Sequence, residues 1–106
     1  MKDYSEILKY VRKNVDSWKF EKCIKPILNI YPEECYRIIT KKTDEFLENH
    51  KARRYYQEAA RWLELLLKIE SAEVRKRTVT YFENMKIRYK TRRALMDELK
   101  KAGIIT

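Results

Sequence analysis

The sequence predicts an all-α domain, and three observations carry that expectation. Its 106 residues include one glycine and two prolines, too few for the turns of a sheet or for long loops. Leu, Ile, Glu, Lys and Arg dominate, a balance that favours helix. Apolar residues recur at spacings of three and four rather than two. They make up 44% of the chain against a charged fraction of 39%, enough for one folded domain with its own core.

Six helices can be placed in order. Asp3 followed by Glu6 reads as a capping box, and Ile7, Leu8, Val11 and Val15 form the stripe of a first helix over about 4–14. Asp16 or Ser17 would cap a second, with Phe20, Cys23, Ile24 and Ile27 inside. Pro26 must break it near 25–26, because proline lacks an N–H and clashes with the preceding turn. Pro32 suits the first turn of a third helix, and Glu33 and Glu34 favour its dipole. Cys35, Ile38, Ile39 and Phe46 are its buried stripe, and Asn49 in a left-handed conformation would end it.

A fourth helix over about 52–69 has the clearest pattern, with Tyr56, Ala59, Ala60, Leu63, Leu66 and Leu67 inside. Ser71 would cap a fifth over about 72–89, whose inner face is Val74, Tyr81, Phe82, Met85 and Tyr89. Thr91 would cap a sixth carrying Leu95, Met96, Leu99 and Ala102, and Gly103 stands where a helix ends in the left-handed region. Connections of two to four residues make neighbouring helices antiparallel. The expected architecture is a single domain of three helix hairpins, about 3–31, 32–70 and 71–103, in a tetratricopeptide-like right-handed array.

An internal echo supports the repeat. HKARRYY at 50–56 returns as YKTRRAL at 89–95, with Lys51, Arg53 and Arg54 matched by Lys90, Arg92 and Arg93. Phe20, Cys23, Ile24 and Ile27 likewise resemble Tyr56, Ala59, Ala60 and Leu63. Periods in the high thirties suit helix-hairpin repeats.

Several chemistries lack their residues. Two cysteines twelve positions apart and one histidine, His50, do not make a zinc site. A phosphate loop needs glycines near its start, and no local arrangement places His50 as a base for a nucleophile. The sequence therefore predicts no enzyme activity, no metal, no cofactor and no small-molecule substrate. No apolar run has the length of a membrane span, the N-terminus lacks a signal-like core, and Cys23 and Cys35 read as free thiols. The expectation is a cytoplasmic protein.

Charge is the remaining signal. The formal net charge is +9. Residues 1–50 hold 10 basic and 9 acidic side chains, and residues 51–106 hold 15 and 7, so the second half carries +8 against +1. Such asymmetry suits an acidic partner. Arg53, Arg54, Arg61, Arg92 and Arg93 for charge, with Tyr55 for contact, are the candidates for binding a protein segment. The alternative is nucleic-acid binding through Arg75, Lys76, Arg77, Lys86, Arg88 and Lys90, with Tyr89 placed to stack on a base. A structural role competes with both: a repeated arginine at a repeated junction can brace the hairpin through an acid or a carbonyl, with Glu58, Glu64 and Glu83 as acids for Arg92 and Arg93. Self-association through the apolar tail Gly103-Ile104-Ile105 is a third option.

HKARRYYQEAARWLELLLKI, followed by YFENMKIRYKTRRALMDELKKAGI, resembles the helical C-terminal region of SWIM zinc-finger family proteins over about residues 43–104. Tyr56, Ala59, Ala60 and Leu63, then Tyr89, Arg92, Arg93, Ala94, Leu95, Glu98 and Leu99, carry the likeness. It implies a tetratricopeptide-like array of no assigned enzymatic role, attached to a finger that binds DNA or protein. The finger's own pattern, two close cysteines followed by Cys-x-His, is absent from this sequence, so its activity does not carry over. The chain would then be the C-terminal part of a longer protein or a free-standing relative.

Overall fold

The computed structural model describes residues 4–105. It contains α1 (Tyr4–Lys13), α2 (Phe20–Ile24), a 3-10 turn (Lys25–Ile27), α3 (Pro32–Asn49), α4 (Arg53–Leu67), α5 (Ala72–Arg88) and α6 (Arg93–Lys101). There is no strand among the described residues. The molecule measures 46 × 29 × 19 Å, and its shortest dimension is about two helix diameters.

Most helix boundaries follow local chemistry. α2 stops at Ile24, and Pro26 sits in the 3-10 turn that follows. Pro32 opens α3 at its first turn, with Glu33 and Glu34 beside it. The Ser71 hydroxyl accepts the Val74 N–H at 3.4 Å and caps α5. At the end of α6 the Gly103 N–H reaches the Lys100 carbonyl at 3.0 Å, and the Ile104 N–H reaches that of Leu99 at 2.9 Å. This is the paired bonding of a Schellman ending, with Gly103 at φ 76° and Ile104 buried behind it.

Three expected caps are different, and one lies elsewhere. Ser17 precedes α2 but its hydroxyl accepts the Lys19 N–H at 3.2 Å, and Lys19, not Asp16 or Ser17, occupies the cap position. Arg92 rather than Thr91 precedes α6 and makes no side-chain cap there. Asn49 does not adopt a left-handed conformation; it stays in α3, and His50 and Ala52 continue as extended chain into α4. Side chains satisfy the last carbonyls of α3 instead. The Asn49 amide donates to Glu45 O at 2.9 Å, His50 Nδ1 to Phe46 O at 2.9 Å, and Arg92 to Leu47 O at 2.7 Å. With those groups partnered, the helix needs no glycine-type reversal. The Asp3 cap falls outside the described residues.

α4 is the centre of the packing. Tyr56, Ala59, Ala60, Trp62, Leu63, Leu65 and Leu66 are all buried, spread over roughly 220° of its circumference at 100° per residue. α3, α5 and α6 all pack against it. Ala59 and Ala60 keep the approach close. α5 is the opposite case: Val74, Thr78, Phe82 and Met85 form one narrow buried stripe.

Leu63, fully buried on α4, should lose about 2–5 kcal/mol of stability on substitution by alanine. Gly103→Ala meets no steric obstacle but must hold a positive φ, so it should cost about 1 kcal/mol. Urea unfolding monitored by far-UV circular dichroism measures both.

Candidate functional site

Each echoed segment bonds to a helix that flanks the other. Arg92, ahead of α6, donates to the Leu47 carbonyl at the end of α3 at 2.7 Å, next to the turn that carries the first echo. Its guanidinium also lies 4.8 Å from the Tyr89 ring centre. A cation on a helix C-terminus is favoured by the dipole, so Arg92 is a brace. Arg53 opens α4, where a cation opposes the dipole, and its compensation comes from α6: Asp97 at 3.0 Å and Glu98 at 2.7 Å. Glu98 is only 7% exposed, so this ion pair covers a carboxylate that water reaches poorly. The paired hydrogen bonds raise the Arg53 pKa and lower that of Asp97.

The second arginine of each echo faces out. Arg54 is exposed, its guanidinium donating to the Tyr55 hydroxyl at 2.7 Å and lying 4.7 Å from that ring's centre. Arg93, Lys51 and Lys90 are also exposed. Among the described residues none of these four cations has a carboxylate within ion-pair distance. All four belong to the α3–α4 and α5–α6 junctions, which the Arg92 bond holds together at one end of the bundle. An aromatic cluster sits with them. His50 stacks on Phe46 at 4.2 Å and lies 4.5 Å from Tyr55, while Tyr55 and Trp62 meet Phe46 edge-on at 5.6 and 4.7 Å. The result is a cationic end face with a partly exposed aromatic floor.

The remaining candidates are dispersed. Arg61 is held by Glu21 of α2 at 2.9 Å, away from the end face. On α5, Arg77 pairs with Glu33 of α3 and with Glu73. Arg88 approaches Asp44 at 3.7 Å, and Lys86 approaches Glu83 at 3.9 Å. Arg75 Nε donates to the Ile69 carbonyl at 3.1 Å. Among the described residues, only Lys76 and Lys90 of the nucleic-acid set have side chains without an ion pair or hydrogen bond. Lys76 and Arg77 join Tyr36 and Tyr81 around a groove of about 330 Å³ between α3 and α5.

Several key polar residues carry no sequence signal. Tyr81 donates to Asp44 at 2.7 Å and joins α5 to α3. Asn29 seals the α4–α5 loop, donating to Lys68 O at 3.3 Å and accepting the Glu70 N–H at 2.7 Å. Lys42 donates to the Val15 carbonyl and stands 4.3 and 4.9 Å from the Trp62 and Phe20 ring centres. Burial lowers its pKa, against the pull of Asp16. Their partners are 27 to 41 residues away, beyond any local pattern. No group of three or more His, Cys, Asp or Glu that could hold a metal occurs among the described residues.

A comparison with known protein families, curated proteins and solved structures finds no match for the chain.

Arg92→Met should cost about 1 kcal/mol, the usual net value of a lost hydrogen bond. Arg93→Met should leave stability within about 0.5 kcal/mol, as surface substitutions do. Equal effects in urea unfolding would contradict the division between inward and outward arginines. Alkaline pH gives a second test. Burial pushes the Cys35 thiol up to about 12, against about 8.5 in an unfolded chain. Between those values the unfolded state has released a proton that the folded state keeps, so stability is full below about pH 8.5 and falls as pH rises. Tyr36, Tyr81 and Tyr89, each raised chiefly by burial, add the same sign from about pH 10 upward. Lys42, lowered, acts with the opposite sign. The Tm should fall on alkaline titration, and Cys35→Ala should flatten its slope between about pH 9 and 10.

Proposed function

We propose that the chain is a non-enzymatic interaction module, a tetratricopeptide-like scaffold of helix hairpins whose cationic end face binds an acidic segment of a protein partner. The order of contacts supports the hairpin array. Lys42 and Phe46 of α3 meet Trp62 of α4, while Phe46 and His50 meet Tyr55; one index rises as the other falls, as in an antiparallel pair. Between α3 and α5 both rise together, from Glu33–Arg77 through Tyr36–Arg77 and Thr40–Tyr81 to Asp44–Arg88. Alternate helices running parallel at an offset near forty are the pattern of stacked hairpins. Tyr56, Ala59, Ala60 and Leu63, the first group of residues in the SWIM resemblance, are buried on α4, which supports that reading.

One observation carries the choice of partner. Within each echo one arginine braces the fold and the next stands open, so that Lys51, Arg54, Lys90 and Arg93 share one end with Tyr55 and His50. Such a face attracts carboxylates by long-range field and holds them by arginine geometry. A phosphate ladder would need the α5 cations in one open line, but Arg77 and Arg88 are engaged with α3. The nucleic-acid alternative retains Lys76, Lys90 and the Tyr36–Tyr81 groove.

Fluorescence anisotropy across a salt series separates the two. A labelled acidic peptide rich in Glu, Asp and Tyr should bind at near-physiological salt. The double variant Arg54→Glu/Arg93→Glu should weaken it by about tenfold, or ~1.4 kcal/mol. Labelled single- and double-stranded DNA and RNA should release above low salt. Nucleic-acid binding that persists, with a log–log slope of several phosphates, would replace the protein partner by a nucleic acid.

A further inference from the structure

At the far end of α4 from the cationic face, the chain presents an apolar groove of about 420 Å³. Leu66 and Leu67 of α4, Val79 and Phe82 of α5, and Ile104 of the tail line it, with Arg75 as its one charged wall residue. Leu67 and Val79 form its open lip, 47% and 62% exposed, above the buried Leu66, Thr78, Phe82 and Ile104. Ile87, eight residues beyond Val79 on α5 and so about 80° further round the helix at 100° per residue, is 71% exposed. These are three of the most exposed large apolar residues in the described chain, and two lie on α5. Lys76 stands one turn before Val79, and Glu83, between Val79 and Ile87, approaches Lys86 at 3.9 Å. With Arg75, the surroundings of the groove are cationic.

We infer that this groove and the outer face of α5 dock an acidic amphipathic helix of a partner protein, apolar side chains entering between Leu67, Val79 and Ile104 and carboxylates meeting Arg75 and Lys76. This surface is separate from the end face proposed above and goes beyond that reading. Charge complementarity selects the occupant. A second copy of this chain brings the same cations to the same rim and a net charge of +9, so its approach is opposed at long range. A helix suits the spacing, because Val79 and Ile87 are eight residues apart and a partner helix laid along α5 presents apolar residues at seven- or eight-residue intervals. α5 also has room for a neighbour: its buried stripe is narrow, and its outer face lacks a helix of this chain.

The test uses a displayed library of helical peptides of about 18 residues, some 27 Å long at 1.5 Å per residue, with acidic and basic residues equally represented. Selection on the full chain should enrich peptides with paired apolar positions and flanking Asp or Glu. Methyl chemical-shift changes on binding should centre on Leu67, Val79, Ile87 and Ile104. Val79→Glu/Ile87→Glu, two exposed positions whose change should leave the Tm unaltered, should weaken binding at least tenfold, while Arg54→Glu/Arg93→Glu should not. Enrichment without acidic bias, or no enrichment, would overturn the assignment. Acidic peptides whose binding depends on Arg54 and Arg93 but not on Val79 would overturn the groove and leave the end face as the module's binding surface. A dimer in sedimentation that Val79→Glu abolishes would hand the groove to a second copy.

Discussion

α4 is covered on three sides, and that constraint shapes the rest of the molecule. A helix buried over more than half its circumference cannot leave its ends to water alone, because the helices packed on it crowd the junctions at both termini. Each end of a helix has four backbone groups without internal partners, and leaving them unsatisfied in a crowded junction costs more than any single side-chain contact returns. Three side chains answer this, two of them from distant elements. Arg92 reaches the end of α3, Asn29 closes the α4–α5 loop from two sides, and Arg75 takes the Ile69 carbonyl. The polar seams follow from the apolar centre.

This explains why the arginines repeat. The short connections at α3–α4 and α5–α6 each carry one copy of the echo, and each brings a helix start against another helix, α4 against α6 and α6 against the end of α3 and α4. An arginine can span from a helix start to a carbonyl or carboxylate on its neighbour with its stem packed on apolar surface. Arg53 and Arg92 do this with different acceptors, a pair of carboxylates in one case and a backbone carbonyl in the other. The repeat is therefore one of position and task rather than of identical bonding. Arg54 follows Arg53 by one residue and so lies about 100° around α4, while Arg93 opens α6 after the non-helical Arg92; both face elsewhere than the braces before them.

What the sequence made legible tracks where the determining contacts are. The six helices, the break at Pro26, the start at Pro32, the Ser71 cap and the Gly103 ending all rest on residues within one turn of each other, and all could be read in order. The end of α3 could not, because its carbonyls are satisfied partly by Arg92, 45 residues away. The same distance hid the division of the echo: nothing local says that Arg92 turns in and Arg93 out. Arg77 and Arg88 looked like part of a basic stripe, but their acids, Glu33 and Asp44, lie on α3, 44 residues earlier. Nothing local distinguishes Glu98 from a solvated acid, yet the packing of α6 on α4 buries it and gives it Arg53 as a partner.

α5 shows what these choices leave over. Its apolar stripe is the narrowest of the long helices, so much of its attachment is polar: the Tyr81–Asp44 hydrogen bond, with Arg77 and Arg88 on either side of it. Exposed ion pairs of this kind contribute little and are screened by salt. The Tyr81 bond is better sheltered, and burial with the Asp44 contact raises its pKa, so it stays a donor throughout the neutral range. α5 is thus held at its centre more firmly than along its outer edge, where Val79 and Ile87 stand in water. Anything that covers that edge adds the apolar area this helix otherwise lacks. Occupancy there and the attachment of α5 to α3 and α4 are then linked: a ligand that binds only the docked helix stabilises docking by mass action, and loosening the Tyr81–Asp44 bond weakens the ligand in turn.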